Sequence, residues 1–255
     1  MKFAHILTAL AGVIPALNAH WVYPVVSVNG GAKSGVWQYV RKLGATPPYA
    51  TPTDPQRGQP HWDLYSDDIR CGRGAFASAK STETLVVNAG DEITFFTHYT
   101  AYENEYNQSM YHAGVAQLYL SKAENGDLGE YKGDGNWFKI KNIGSSNGKT
   151  WDLLDTYSLN VTIPKTTPPG IYLLKVDYLA YHQPTGPRSF EFYLACAHLE
   201  IKGPGGGIPG PITHFPGAYD MFDRCIAIWK PHSMGYWGTR PGDNYKNPGP
   251  DVWRG

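Results

Sequence analysis

The chain has 255 residues and a formal net charge of zero, from 22 basic and 22 acidic side chains. A neutral chain offers no basic patch for a phosphate backbone, and no apolar run after the N-terminal leader is long enough to span a bilayer. The composition therefore argues against nucleic acid and membranes as partners. The 29 glycines, 20 prolines and 18 tyrosines are typical of a loop-rich, all-β extracellular domain.

The first 19 residues have the pattern of a secretory signal peptide. Lys2 gives the charged start, residues 3–15 are mostly apolar, and Ala19 is a small residue at the cleavage position. We expect cleavage after Ala19, secretion to the extracellular space, and a mature chain that begins at His20.

Short strands punctuated by glycine and proline follow, with no convincing amphipathic helix. This pattern predicts two packed antiparallel sheets. The predicted strands are Trp21–Val28, Leu85–Phe96 as two short strands about a turn, Val115–Leu120, Tyr157–Ile163, Ile171–Tyr181 and Phe190–Ile201.

Two segments look irregular. Residues 39–65 are rich in proline, threonine and glycine, and a loop of this length is unusual unless it is functional. The run Gly203–Pro211 resembles a linker, but only 44 residues follow it, too few for a stable second module without a disulfide of its own. We therefore expect one domain over residues 20–255, with a wrapped tail and no separate carbohydrate-binding module.

The three cysteines are Cys71, Cys196 and Cys225, and none is in a short-range metal spacing. Secretion makes one disulfide the expectation and leaves one thiol over. Asn107 and Asn160 begin glycosylation sequons, which are compatible with secretion but common by chance.

Histidines and one strand supply the candidate chemistry. A free His20 would present its α-amino group and a ring nitrogen to one metal, and copper favours such nitrogen ligands. His112 precedes a predicted strand and could reach the same edge, and period two puts Glu191 and Tyr193 on one face of their strand. Each feature also has an ordinary explanation: a fortuitous cleavage point, a hydrogen-bonded surface histidine, an exposed polar face.

Eight short segments carry motifs that occur in one order along the chain. They are His20, Asp67–Cys71, Ala89–Phe95, His112–Gly114, Pro169–Tyr172, Tyr193–Cys196, Phe215–Tyr219 and Val252–Trp253. In this order they resemble the fungal lytic polysaccharide monooxygenases of auxiliary activity family 9.

The resemblance implies an immunoglobulin-like antiparallel β-sandwich with long loops and a flat face that holds one copper ion. The amine and ring of His20 and the ring of His112 would bind the metal, with Tyr193 in the axial position. The resemblance also implies a disulfide between Cys71 and Cys196, which leaves Cys225 as a buried, inert thiol.

Further roles follow from the same resemblance. His182 and Glu191, with Tyr193, would form the catalytic surroundings of the oxygen site. Tyr245 would stack on sugar rings, and Tyr39 and Arg41 would lie near the substrate face. Two positions depart from the family pattern: Glu191 replaces the usual glutamine, and Val115 replaces the proline that usually follows the His-x-Gly motif.

These features lead to the hypothesis of a secreted, monomeric copper monooxygenase that cleaves β-1,4-glucan oxidatively, at C1 or C4, with O2 or H2O2 as co-substrate and an external reductant. One alternative, favoured by Glu191, is a copper-binding protein of the same fold without oxygenase activity. Another is a secreted carbohydrate-binding sandwich whose histidines are incidental. Glycoside hydrolysis needs two carboxylates facing across a cleft, and the sequence pairs none for that purpose.

Overall fold

The structure is a computed structural model, and it describes residues 20–44, 60–99, 108–181, 190–223, 226 and 246–255. Strands dominate these residues, and two short 3-10 helices lie between the first two strands, over Asp67–Ile69 and Ala75–Ser81. The strands are β1 (Trp21–Val28), β2 (Leu85–Asn88), β3 (Glu92–Tyr99), β4 (Gly114–Lys122), β5 (Trp137–Ile143), β6 (Ser158–Thr162), β7 (Gly170–Tyr181), β8 (Phe190–Lys202) and β9 (Ile212–Thr213).

The strands form two sheets, which confirms the β-sandwich. The smaller sheet has the order β1-β3-β6, and the larger has the order β2-β8-β7-β4-β5-β9. One pairing corrects the expectation of purely antiparallel sheets, because β2 runs parallel to β8, with Leu85 opposite Leu199. The predicted strand pair within Leu85–Phe96 is therefore split: β2 enters the larger sheet, and β3 enters the smaller one after a turn at Gly90, whose φ is 102°.

Apolar side chains at alternate strand positions fill the space between the sheets. Ile93 and Phe95 of β3 face Val176 of β7 and Leu199 of β8 in one core cluster, and all four are fully buried. This alternation is what a strand with one face toward a core requires.

The larger sheet has a second apolar layer on its other face. Phe192, Leu194 and Cys196 of β8 belong to this layer, together with Phe215 of the tail. The disulfide between Cys71 and Cys196 is present, with 5.1 Å between the Cα atoms, so the expected pairing is confirmed. Because loops cover this face, β7 and β8 are buried on both sides, and their polar positions are buried as well.

The sequence patterns did not predict two of the strands, β5 and β9. In β5, Lys139 is fully buried on the covered face and donates to the carbonyl of Pro248 at 2.6 Å. Because a charged residue interrupts the apolar pattern, hydrophobicity alone does not predict this strand. The two-residue β9 pairs with the start of β5, and the amide of Trp253 donates to the carbonyl of Lys139 at 2.8 Å. The described parts of the tail thus contact the larger sheet.

None of the helices within the described ranges has the length and hydrophobicity that crossing a membrane requires.

Candidate metal centre

Three potential metal ligands meet at one end of the sandwich. His20 immediately precedes β1, His112 lies two residues before β4, and Glu191 is the second residue of β8. One ligand-type atom from each lies within 4.8 Å of the other two. Since β1 belongs to the smaller sheet and β4 and β8 to the larger, the fold itself brings these distant residues together.

The rings of His20, His112 and Tyr193 surround this point. The ring centres are 6.3 Å apart for His20 and His112, 6.0 Å for His20 and Tyr193, and 6.4 Å for His112 and Tyr193. The two imidazoles are tilted by 47° to each other.

This arrangement fits a copper ion. A ring nitrogen binds a first-row metal at about 2.0 Å and its ring centre lies about 1 Å further out, so imidazoles on opposite sides of one ion have centres about 6 Å apart. The observed 6.3 Å agrees with that distance. Imidazole nitrogen is also a donor that suits copper.

Glu191 and Tyr193 share one face of β8, as the alternation predicts. The hydroxyl of Tyr193 donates to Oε2 of Glu191 at 3.0 Å, and the same oxygen lies 3.7 Å from Nε2 of His112. Both side chains are buried. Burial, followed by the charge of Glu191, raises the pKa of Tyr193, so the phenol keeps its proton and acts as a donor.

Trp21 is part of this site although the sequence patterns did not select it. Its indole is stacked on the ring of Tyr193, with centres 3.8 Å apart and planes 9° apart, and its own exposed fraction is 1%. Its position in the sequence could have indicated this role. It directly follows the candidate ligand His20, and the alternation of β1 directs its side chain into the sandwich.

Arg41 is not on an exposed face, which corrects the expectation that it contacts substrate. It is 1% exposed. Its Nε donates to Nε2 of His198 at 2.8 Å, and Nη2 donates to the carbonyls of Leu128 and Tyr131, both at 2.7 Å. These three acceptors explain the burial, because a guanidinium leaves water only when its donors are satisfied.

Tyr39 is half-buried and packs against the core between the sheets. Its carbonyl accepts from the amide of His198, seven residues along β8 from Glu191, which is about 20 Å at the rise of an extended strand. Tyr39 therefore lies about 20 Å from Glu191, and its contact with substrate stays a prediction.

Another aromatic residue lies nearer to the metal group. His61 and Phe192 exchange two backbone hydrogen bonds, of 2.8 and 2.9 Å. This bridge brings the following residue, Trp62, beside the end of β8 that carries Glu191. Trp62 is 38% exposed and Tyr65 is 60% exposed. Because His61 and Phe192 are far apart in the sequence, no local sequence pattern predicts this bridge.

The remaining predicted residues divide into two groups. Asn160 is half-buried on the edge strand β6, and its Oδ1 accepts from Nζ of Lys141 at 2.9 Å. The others lie outside the described residues, as does the predicted signal peptide over residues 1–19; they are His182, Tyr245, Asn107 and Cys225.

Comparison with known proteins gives matches along nearly the whole chain. The model of Auxiliary Activity family 9, formerly GH61, matches residues 20–236. AA9 family lytic polysaccharide monooxygenase U of Thermothielavioides terrestris is 37% identical over 260 residues, 98% of each chain. AA9 family lytic polysaccharide monooxygenase C of Emericella nidulans is 36% identical over 254 residues, again 98% of each chain.

A solved structure supports the fold. The crystal structure of a cellulose-active polysaccharide monooxygenase from M. thermophila superposes with a TM-score of 0.66 at 23% identity, and covers 92% of this chain and 99% of that one. At this identity the likeness concerns the β-sandwich alone.

Proposed function

The chain belongs to Auxiliary Activity family 9, and from its candidate metal centre we propose that it is a secreted, copper-dependent lytic polysaccharide monooxygenase that acts on β-1,4-glucan. The names of its relatives support the reaction class. The convergence of His20 and His112 from two different sheets carries the proposal for the site.

Four groups would hold copper in this proposal: the amine and ring of His20, the ring of His112, and the phenol of Tyr193. The amine is available only after cleavage behind Ala19, and the family match begins at His20. Ligand nitrogens must be unprotonated to bind, so processing would create a ligand from what is an amide in the precursor.

Copper bound there would supply the one-electron chemistry by which O2 or H2O2, with an external reductant, oxidises a C–H bond at C1 or C4 of the sugar. The protein's own contribution is the orientation of the two imidazoles and the proton on Tyr193, which points at Glu191. Glu191, and His182 from outside the described residues, would line the oxygen side of the site.

Exposed aromatic rings near the metal would bind the polysaccharide. Trp62 presents flat apolar surface beside the strand end that carries Glu191, Tyr65 is exposed three residues later in the chain, and such rings stack on the apolar faces of sugars. Tyr245 stays a further predicted sugar contact. A flat binding face would orient an insoluble chain across the metal, which positions the bond to be oxidised.

Glu191 keeps a second candidate function open: copper binding without oxygenase activity. A glutamine could donate from its amide, whereas an ionised carboxylate only accepts, and here Oε2 already accepts from Tyr193. The carboxylate would then leave the oxygen side of the metal without the donor that the family's glutamine supplies.

Product analysis separates these functions. Correctly processed, copper-loaded protein would be incubated with a panel of β-glucans, a reductant and O2 or H2O2, and the soluble products analysed by mass spectrometry. We expect oligosaccharides oxidised at C1 or C4, absent without reductant. Tight copper binding with no oxidised product would support the second candidate, and the absence of copper binding would support a carbohydrate-binding protein with incidental histidines.

A further inference from the structure

Tyr178 lies beneath the proposed copper ligands. It occupies β7 directly opposite Tyr193 of β8 and is fully buried. Its hydroxyl donates to the backbone carbonyl of His112 at 2.7 Å. Burial raises the pKa of Tyr178, so this hydroxyl keeps the proton that it donates.

Gly114 makes room for this contact. A Cβ at Gly114 would lie 2.7 Å from Cε1 of Tyr178 and 2.4 Å from the carbonyl oxygen of Leu179, distances that real Cβ atoms do not adopt. The missing side chain at the end of the His-x-Gly motif therefore lets the tyrosine ring pass under β4 and reach the loop that carries His112.

Trp21 connects the same tyrosine to the other side of the site. The ring of Tyr178 meets the indole of Trp21 edge to face, with centres 5.2 Å apart and planes 84° apart. That indole is stacked on Tyr193 at 3.8 Å and follows His20 in the chain. Tyr178 thus contacts the backbone of His112 and the indole of Trp21. Trp21 in turn follows His20 and stacks on Tyr193.

We propose that Tyr178 is a positioning residue for the metal site: its hydroxyl holds the His112 loop at the height where the His112 ring faces His20. This proposal rests on the function proposed above, because it assumes that His112 binds copper. Partners that orient metal-binding histidines typically matter by ten- to 100-fold in metal affinity, so the contact is large enough to measure.

The test compares two tyrosines on the same strand. Tyr178→Phe removes the hydroxyl and keeps the ring. Tyr172→Phe is the matched control, since the hydroxyl of Tyr172 also donates to a backbone carbonyl, that of Pro168 at 2.8 Å, but at the far end of β7. Both variants lose one internal hydrogen bond and should lose similar melting temperature.

Calorimetric titration with Cu(II) and the electron paramagnetic resonance spectrum of the copper-loaded, processed proteins give the metal readout. We expect about ten-fold weaker binding in Tyr178→Phe with altered copper hyperfine splitting. Tyr172→Phe should match the wild type in both. Equal affinity and spectra for all three proteins would overturn the positioning role.

A metal-free readout keeps the two proposals distinguishable. Imidazole NMR signals of His112, assigned by their loss in His112→Ala, should shift or broaden in metal-free Tyr178→Phe and stay unchanged in Tyr172→Phe. If wild-type protein bound no copper, the proposed function would fail, while the NMR comparison would still decide whether Tyr178 positions His112. Unchanged His112 signals in Tyr178→Phe would overturn the positioning role alone.

Discussion

The hydroxyl of Tyr193 donates a hydrogen bond to Oε2 of Glu191, 3.0 Å away and two residues earlier on β8. The phenol of this proposed copper ligand is thus oriented by a carboxylate, where the family resemblance implies an amide. The carboxylate and the amide both accept from the tyrosine, but the amide could also donate a hydrogen bond to an oxygen atom of the co-substrate.

We therefore expect Glu191→Gln to raise turnover. The substitution keeps an acceptor for Tyr193 and adds one donor, so the rate should increase about ten-fold, which corresponds to about 1.4 kcal/mol for a hydrogen bond gained in the transition state. The measurement is the initial rate of oxidised oligosaccharide release with fixed reductant and peroxide supply. Glu200→Gln, at the far end of β8, is the control and should leave the rate unchanged. A Glu191→Gln variant no faster than the wild type would show that this carboxylate does not limit the reaction.

A second prediction concerns Trp62. Trp62→Ala should weaken cellulose binding by about five-fold or more, because an exposed ring in contact with a ligand commonly contributes 1 kcal/mol or more. Copper affinity should stay the same. Pull-down isotherms on microcrystalline cellulose measure the effect.

The matched control for this substitution is Phe76→Ala. Phe76 is 39% exposed, close to the 38% of Trp62, but it lies beside Arg41, which bonds to His198, seven residues along β8 from Glu191. Equal losses of cellulose affinity in both variants would contradict a specific sugar contact at Trp62.

A third prediction is a pH dependence of stability that arises at His198. Arg41 donates to Nε2 of this imidazole, and burial, followed by the charge of Arg41, lowers the pKa of His198 to about 3, although the backbone of Thr82 opposes the shift. Glu200 is the next residue of β8 on the same face. An unfolded histidine titrates near pH 6.5, so below that pH the unfolded chain binds a proton that the folded chain excludes.

The free energy of unfolding should therefore fall as the pH decreases from about 6.5 toward 3. Between pH 7 and pH 5 this one group accounts for about 2 kcal/mol. Urea unfolding of the wild type and of His198→Gln, which keeps an acceptor for Arg41, isolates the contribution. The variant should lose about 2 kcal/mol less over this range, and parallel pH profiles would contradict the assignment.

The strand patterns predicted most of the sandwich and one half of the site. Period two placed Glu191 and Tyr193 on one face because alternation is a property of the strand itself. The pairing of Cys71 with Cys196 came from the family resemblance, since sequence spacing alone leaves the connectivity open.

Long-range contacts explain what the sequence did not predict. Arg41 was expected near the substrate face but is buried, with its acceptors on β8 and on the connection between β4 and β5. The sequence did not predict β5 because Lys139 interrupts its apolar pattern. Loops cover the second face of the larger sheet and bury this lysine, which a solvated sheet would leave exposed. Trp62 reaches the site through one backbone bridge between His61 and Phe192, and neither residue carries a local signal of it.

The central claim is that His20 binds copper through its free amine as well as its ring. Calorimetric titration with Cu(II) would compare protein that begins at His20 with protein that retains Ala19 ahead of it, each alongside its His112→Ala variant. The account predicts one tight site in the processed protein and binding weaker by at least about 100-fold when Ala19 is retained, because a lost ligand should cost more than the ten- to 100-fold typical of outer-shell changes. Equal, tight affinity in both proteins would contradict it.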